Sequence, residues 1–232
     1  MTFDGPRSRR SLLRDLGVAG VATSGLAYLA TGESVAMKQS TTVASDAGAD
    51  LLVEWREEYN GAVLEEGATD PGPSVPVVGL EKVLPGDEGV VNFRVTAASV
   101  AEDLDGITVQ MNAEATESSG VDTEPERRAG GGGSADLGDH VRARAWYDEG
   151  LFRDCTGTQS MTNAEVASGT LTEVVDALDG LLLETGDGAC FAEGDGVCFA
   201  LRWWIPDGGS ADNAFQEDSV AFDLFFRARA DC

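Results

Sequence analysis

Apolar and polar residues alternate with a period of two along much of this chain. Val91, Phe93 and Val95 alternate with Asn92, Arg94 and Thr96, which gives an extended segment one dry and one wet face. The period recurs at Ile107, Val109, Met111 and Ala113, and again at Val141, Ala143, Ala145 and Tyr147. Near the end, Phe199, Leu201, Trp203 and Ile205 share one face, as do Val220, Phe222, Leu224 and Phe226. Leu51 to Trp55 adds an earlier short strand, closed by an Asn60-Gly61 turn signal. A strand of this kind buries one face only, so a second layer must cover it. One segment departs from the pattern: Leu171, Val174, Val175 and Leu178 stand at i, i+3, i+4 and i+7. That spacing predicts a short amphipathic helix at about 170–179, with Thr170 and Glu173 as a capping box. The predicted fold is all-β, an antiparallel β-sandwich of seven or eight strands, with the short helix covering an edge or plugging an opening.

The connections are read from composition. Residues 37–50 are small and polar, with too few apolar groups to anchor themselves, and form a flexible arm ahead of a sandwich domain at 51–232. Pro71 to Pro76 cannot enter a central strand. Pro85-Gly86-Asp87-Glu88-Gly89 marks a turn, and the glycine-rich, mixed-charge stretch 116–135 is predicted as a mobile loop.

The first 36 residues look like an export signal. Arg7, Arg9 and Arg10 precede a largely apolar run from Leu12 to Ala30, and Ser34-Val35-Ala36 offers small residues for cleavage before Met37. Ser8-Arg9-Arg10-Ser11-Leu12-Leu13 resembles a twin-arginine signal. An uncleaved anchor at residues 12–30 is the competing reading, although the run from Leu16 is shorter than the roughly 20 residues that span a bilayer. Either way the domain is expected outside the cytoplasm, extracellular or at the cell surface, touching membrane only through this N-terminal segment.

Charge narrows the partners. The chain carries 41 acidic and 16 basic residues, a formal net charge of -25, which excludes nucleic acid as a plausible partner. Acid is spread along the whole domain, as on proteins of strongly saline media where self-repulsion is screened. The fold is therefore expected to need salt. Cys155, Cys190, Cys198 and Cys232 fit disulfides in an exported protein. Three pairings are open; Cys198 with Cys232 and Cys155 with Cys190 is preferred, because Cys198 and Cys232 each lie at the end of a predicted strand. A four-thiolate metal site is the alternative, without the close CxxC pair that such sites use.

Several segments in order carry a family likeness. Leu51-Leu52-Val53-Glu54-Trp55 with Tyr59-Asn60-Gly61, then Leu84-Pro85-Gly86-Asp87, Ala145-Trp146-Tyr147-Asp148, Gly169-Thr170-Leu171, Cys198 to Pro206, and Asn213 to Leu224 resemble the secreted TasA/camelysin (CalY) family, in particular its haloarchaeal branch of SipW-type substrates. The end, Phe226 to Cys232, departs from the family's acidic, glutamine-containing ending, and residues 40–50 have drifted. The resemblance implies a jelly-roll-like subunit of the cell surface or extracellular matrix that acts in adhesion through self-association. It also implies that Lys38 to Ala49 could be a donor strand that pairs with the next subunit; a plain spacer is the competing reading.

Candidate chemistry is sparse, and no enzyme is expected. Some members of that family are described as casein-cleaving metalloproteases, but zinc hydrolysis calls for several imidazole or carboxylate ligands, commonly His-Glu-x-x-His. This chain has one histidine, His140, at a predicted strand start. No Gly-x-Ser-x-Gly elbow marks a nucleophile among its serines, Ser134 and Ser160 included, and the cysteines lack redox spacing. No catalytic, cofactor or metal residue is assigned. Asp187, Glu193 and Asp195 supply oxygens for a weak calcium candidate without EF-hand spacing. Trp55, Trp146, Trp203 and Trp204 could build a glycan platform, making a surface glycan-binding module the second reading. Trp203 and Trp204 are neighbours, so one must face the core and the other outward.

Overall fold

The computed structural model describes residues 43–45, 48–69, 78–81, 83–119, 137–148, 155, 157, 163–186, 188–207, 218–230 and 232. The signal and anchor segment 1–36, the proline-rich stretch 71–76 and most of the glycine-rich loop lie outside them. Twelve strands are described: β1 (Val43–Ser45), β2 (Asp50–Tyr59), β3 (Ala62–Thr69), β4 (Val78–Glu81), β5 (Glu88–Ser99), β6 (Ile107–Ser119), β7 (Arg142–Tyr147), β8 (Glu165–Thr170), β9 (Leu181–Leu182), β10 (Cys190–Phe191), β11 (Gly196–Trp204) and β12 (Ser219–Arg229). Two helices accompany them, α1 (Leu137–His140) and α2 (Leu171–Leu178).

The strands form two sheets. The first is built on the long pair β12 and β6, with β1 and β4 on the far side of β12 and with β10 and β9 against β6. The second runs β3-β2-β5-β11-β7-β8. Every pairing is antiparallel except that of β1 along β12. This is the all-β sandwich expected from the alternation. Among the described strands the chain changes sheet at every step except β2 to β3, β7 to β8 and β9 to β10. The eight strands of six or more residues match the predicted number; the four short ones carry no periodic signal of their own. β6 also runs to Ser119, beyond the predicted loop start at 116, because β12 pairs with it over its full length.

The dry faces meet as predicted. Val91, Phe93, Val95, Ile107, Val109, Met111, Phe199, Leu201, Trp203, Phe222, Leu224 and Phe226 are all buried. Phe93 and Phe226 touch across the two sheets, with ring centroids 5.9 Å apart. Asn60 and Gly61 both take positive φ, 48° and 75°, the geometry of the tight hairpin turn that joins β2 to β3. Gly89 is required for a different reason: a Cβ there would sit 2.5 Å from Trp203 Nε1, so the indole lies on bare backbone.

α2 has the predicted cap. Thr170 Oγ1 accepts from the Glu173 N–H at 3.2 Å, and Glu173 Oε2 accepts from the Thr170 N–H at 2.8 Å. Its four apolar residues, Leu171, Val174, Val175 and Leu178, are buried, each contributing roughly 1.5–3 kcal/mol. The helix packs against β6, β7 and β8, closing one long seam between the sheets.

The disulfides correct the expected pairing. Cys155 joins Cys198, and Cys190 joins Cys232, with Cα separations of 5.3 and 5.9 Å. Cys198 alternates with the inward Phe199 and so lies on the outer face of the second sheet. Cys232 follows β12, in the first sheet. A Cys198–Cys232 bond would have to cross the core. Cys190 on β10 stands opposite Thr108, which also pairs with Arg229 near the end of β12, so the C-terminal cysteine is already beside it. Each bond closes a separation of 43 or 42 residues, a constraint on the unfolded chain of roughly 4 kcal/mol in the loop-entropy account. The two bonds fit an oxidising compartment.

Candidate functional site

The feature with most potential for interaction is the outer edge of β12. Val220, Phe222, Leu224, Phe226 and Ala228 turn their side chains into the core, which fixes the strand in depth and leaves its two edges for hydrogen bonding. One edge is taken by β6 from Ser219↔Ser119 to Arg229↔Thr108. The other carries two short patches. β4 lies antiparallel on Ser219–Phe222, and β1 lies parallel on Phe226–Ala228, with Val43 opposite Phe226 and Ser45 opposite Ala228. The stretch between the patches belongs to neither. The expected arm thus contributes three residues to a sheet edge of its own chain, while residues 37–42 and 46–47 lie outside the described residues.

At the neighbouring end of the second sheet, a polar lock holds the β4–β5 turn to the β2–β3 hairpin. Asp87 accepts from the Leu84 N–H at 2.7 Å and from Asn60 Nδ2 at 3.0 Å, while Asn60 Oδ1 accepts from the Glu88 N–H at 3.0 Å. Burial first, and then its hydrogen bond and the negative charge at Asp87, push the Tyr59 phenol well above the ordinary tyrosine range. β3 is the terminal strand of this sheet, and Val63 and Leu64 are exposed on it.

The other predicted candidates are not brought together. His140 ends α1 rather than starting a strand, and it is half-buried one residue before the core residue Val141. Asp195 Oδ2 accepts from the Ala192 N–H at 2.8 Å, closing its own turn; Glu193 is exposed, and Asp187 lies outside the described residues. Among the described residues no group of three or more His, Cys, Asp or Glu is placed to hold a metal ion. No described helix is long and apolar enough to cross a membrane.

The four tryptophans are scattered by function. Trp203 and Trp146 are fully buried, Trp55 packs against the core, and Trp204 turns outward with the Arg202 guanidinium 5.7 Å over its ring. Trp203 and Trp204 divide between the two faces as their adjacency requires. Trp146 is the surprise, since it occupies the outer face, opposite Ala200. It is buried there on the face that carries the Cys155–Cys198 bond and the Asp148 anchor. Asp148 accepts from the Gly157 N–H at 2.7 Å and from Asn163 Nδ2 at 3.3 Å, so its role is to hold the connection that follows β7. The sequence signal for that anchor was an acidic residue ending a strand just before a Gly- and Cys-containing connection.

A cavity of about 240 Å³ lies beside this anchor, lined by Arg94, Thr96, Asp148, Thr185, Cys198 and the glycines around them. Its charged groups are engaged: Arg94 reaches Glu54 at 3.5 Å, and Asp148 holds the two donors above. No protein-family model, curated protein or solved structure matches this chain.

Proposed function

We propose that this chain is an exported structural protein of the cell surface or extracellular matrix that self-associates by exchanging its N-terminal arm. The observation that carries the reading is the pairing of β1. Three residues are held parallel to β12, a strand more than 180 residues away in sequence, by main-chain bonds that any extended segment can supply. An arm that leaves its own β12 and lies on that of a neighbour recovers the same hydrogen bonds. Donor and acceptor are different surfaces, so the contact does not close on itself and extends into a fibre.

The arginine-led apolar N-terminus and the oxidised cysteines support export. The ordered motifs shared with the TasA/camelysin family support a filament or matrix role. A glycan-binding module needs an open aromatic platform, and the described tryptophans are buried, packed against the core or stacked with Arg202, so adhesion through self-association is the better reading. It assigns no catalysis.

Deletion of residues 37–48 from the mature chain, followed by electron microscopy and near-UV spectroscopy, tests it. The expected result is a folded protein that no longer forms filaments. Filaments that persist unchanged would sink arm exchange.

A further inference from the structure

The outer face of the second sheet carries a feature unlike the rest of this acidic surface. Arg142 and Arg144 on β7 stand directly opposite Trp204 and Arg202 on β11, so three arginines and a half-buried indole occupy four adjoining positions on one face. Like charges facing across a ladder repel, and here each of the opposed pair has its own carboxylate: Arg144 reaches Glu165 at 3.0 Å, and Arg202 reaches Glu88. Arg142 is exposed and has no carboxylate within ion-pair reach among the described residues. Arginine and tryptophan are the side chains that dominate the energetics of protein interfaces. In a molecule of net charge -25, Arg142 adds an unneutralised positive charge to this face beside the two paired arginines.

The opposite end of the same sheet is its complement. β5 begins at Glu88, beside Trp204 in the ladder, and runs twelve residues to Ser99, roughly 40 Å at the rise of a strand. The turn that follows exposes Glu102, Asp103 and Asp105. Leu104 fixes that turn by packing against the core, its N–H donating to the Ala101 carbonyl at 2.9 Å.

We propose that the Arg142–Arg144–Arg202–Trp204 face docks the Glu102–Asp105 turn of a second copy, aligning subunits head to tail along the strand direction. The inference rests on the self-association reading and adds a second contact to it, one that sets polarity and spacing while the arm supplies the tether. Because the two surfaces lie at opposite ends, the contact is heterologous and propagates.

The test is sedimentation analysis of the full exported chain at the lowest salt that preserves its near-UV spectrum, where charge contacts are least screened. Arg142→Glu and Asp103→Arg, both at exposed positions, should each weaken association about tenfold. The two changes on one chain should restore it, since the charges are merely exchanged. Single reversals that leave association unchanged, or a double variant that is not restored, would overturn the inference. If association depends on residues 37–48 and not on Arg142, arm exchange stands and this contact falls. Loss of polygalacturonate binding in Arg142→Glu, with association untouched, would assign the face to an acidic glycan and overturn the second copy. A chain that stays monomeric at every concentration would overturn both readings.

Discussion

The two long seams of the sandwich are closed by different means. On one side α2 bridges β8 and β6 with four buried apolar side chains and its own capping box. On the other, the edge of β12 is covered by two short strands, β1 and β4, which reach it from distant parts of the chain. A helix satisfies its backbone internally and is held by its side chains, so no other segment of different sequence can replace it. A three-residue strand is held mainly by main-chain bonds, which are indifferent to sequence. The helical seam therefore depends on its own side chains, and the strand seam on main-chain bonds that another extended segment could also make.

The largest expected effect lies in the helical seam. Leu178→Ala should cost about 2–5 kcal/mol, the range for removing a fully buried leucine, measured by urea unfolding of the disulfide-intact chain. A cost below 1 kcal/mol would mean that α2 is an ornament rather than a seal. Thr170→Ala comes next, at about 1 kcal/mol, because it removes the acceptor for the Glu173 N–H and half of the reciprocal box. The same measurement checks it, and an unchanged midpoint would show that packing alone holds the helix end.

The smallest effect lies in neither seam but at the β2–β3 hairpin end of the second sheet, and it depends on pH. The Tyr59 phenol is raised in the folded chain, so it binds its proton more tightly folded than unfolded. Its contribution is fully present below about pH 10, the ordinary tyrosine value, and is lost as pH rises beyond that. Tyr59→Phe should accordingly flatten the fall in stability above about pH 10 and leave the neutral-pH slope unchanged. A wild-type slope identical to that of the variant would remove Tyr59 from the account.

Much of the first seam was legible in the residues. The i, i+3, i+4, i+7 stripe and the Thr170/Glu173 spacing are local, and the helix appears where they put it, within a residue at each end. The inward faces of β5, β6, β11 and β12 were equally plain, since a period of two allows only one burial pattern per strand. The second seam was not legible. Val43–Ser45 and Val78–Glu81 are too short for periodicity, and what makes them strands is the edge of β12 beside them. The buried Trp146 and the role of Asp148 were hidden for a similar reason, because Cys155 and Gly157 return to an outer face that alternation alone marks as wet.

The sequence by itself determined the layer class of this protein, the helix α2 with its cap, its acidity and its oxidised character, all of which follow from local period and composition. The tertiary structure alone decided which cysteines meet, which edge the arm lies on, and that arginines from two strands gather around Trp204. Those are matters of sheet order and register, set by contacts between residues far apart in the chain, and no local pattern encodes them.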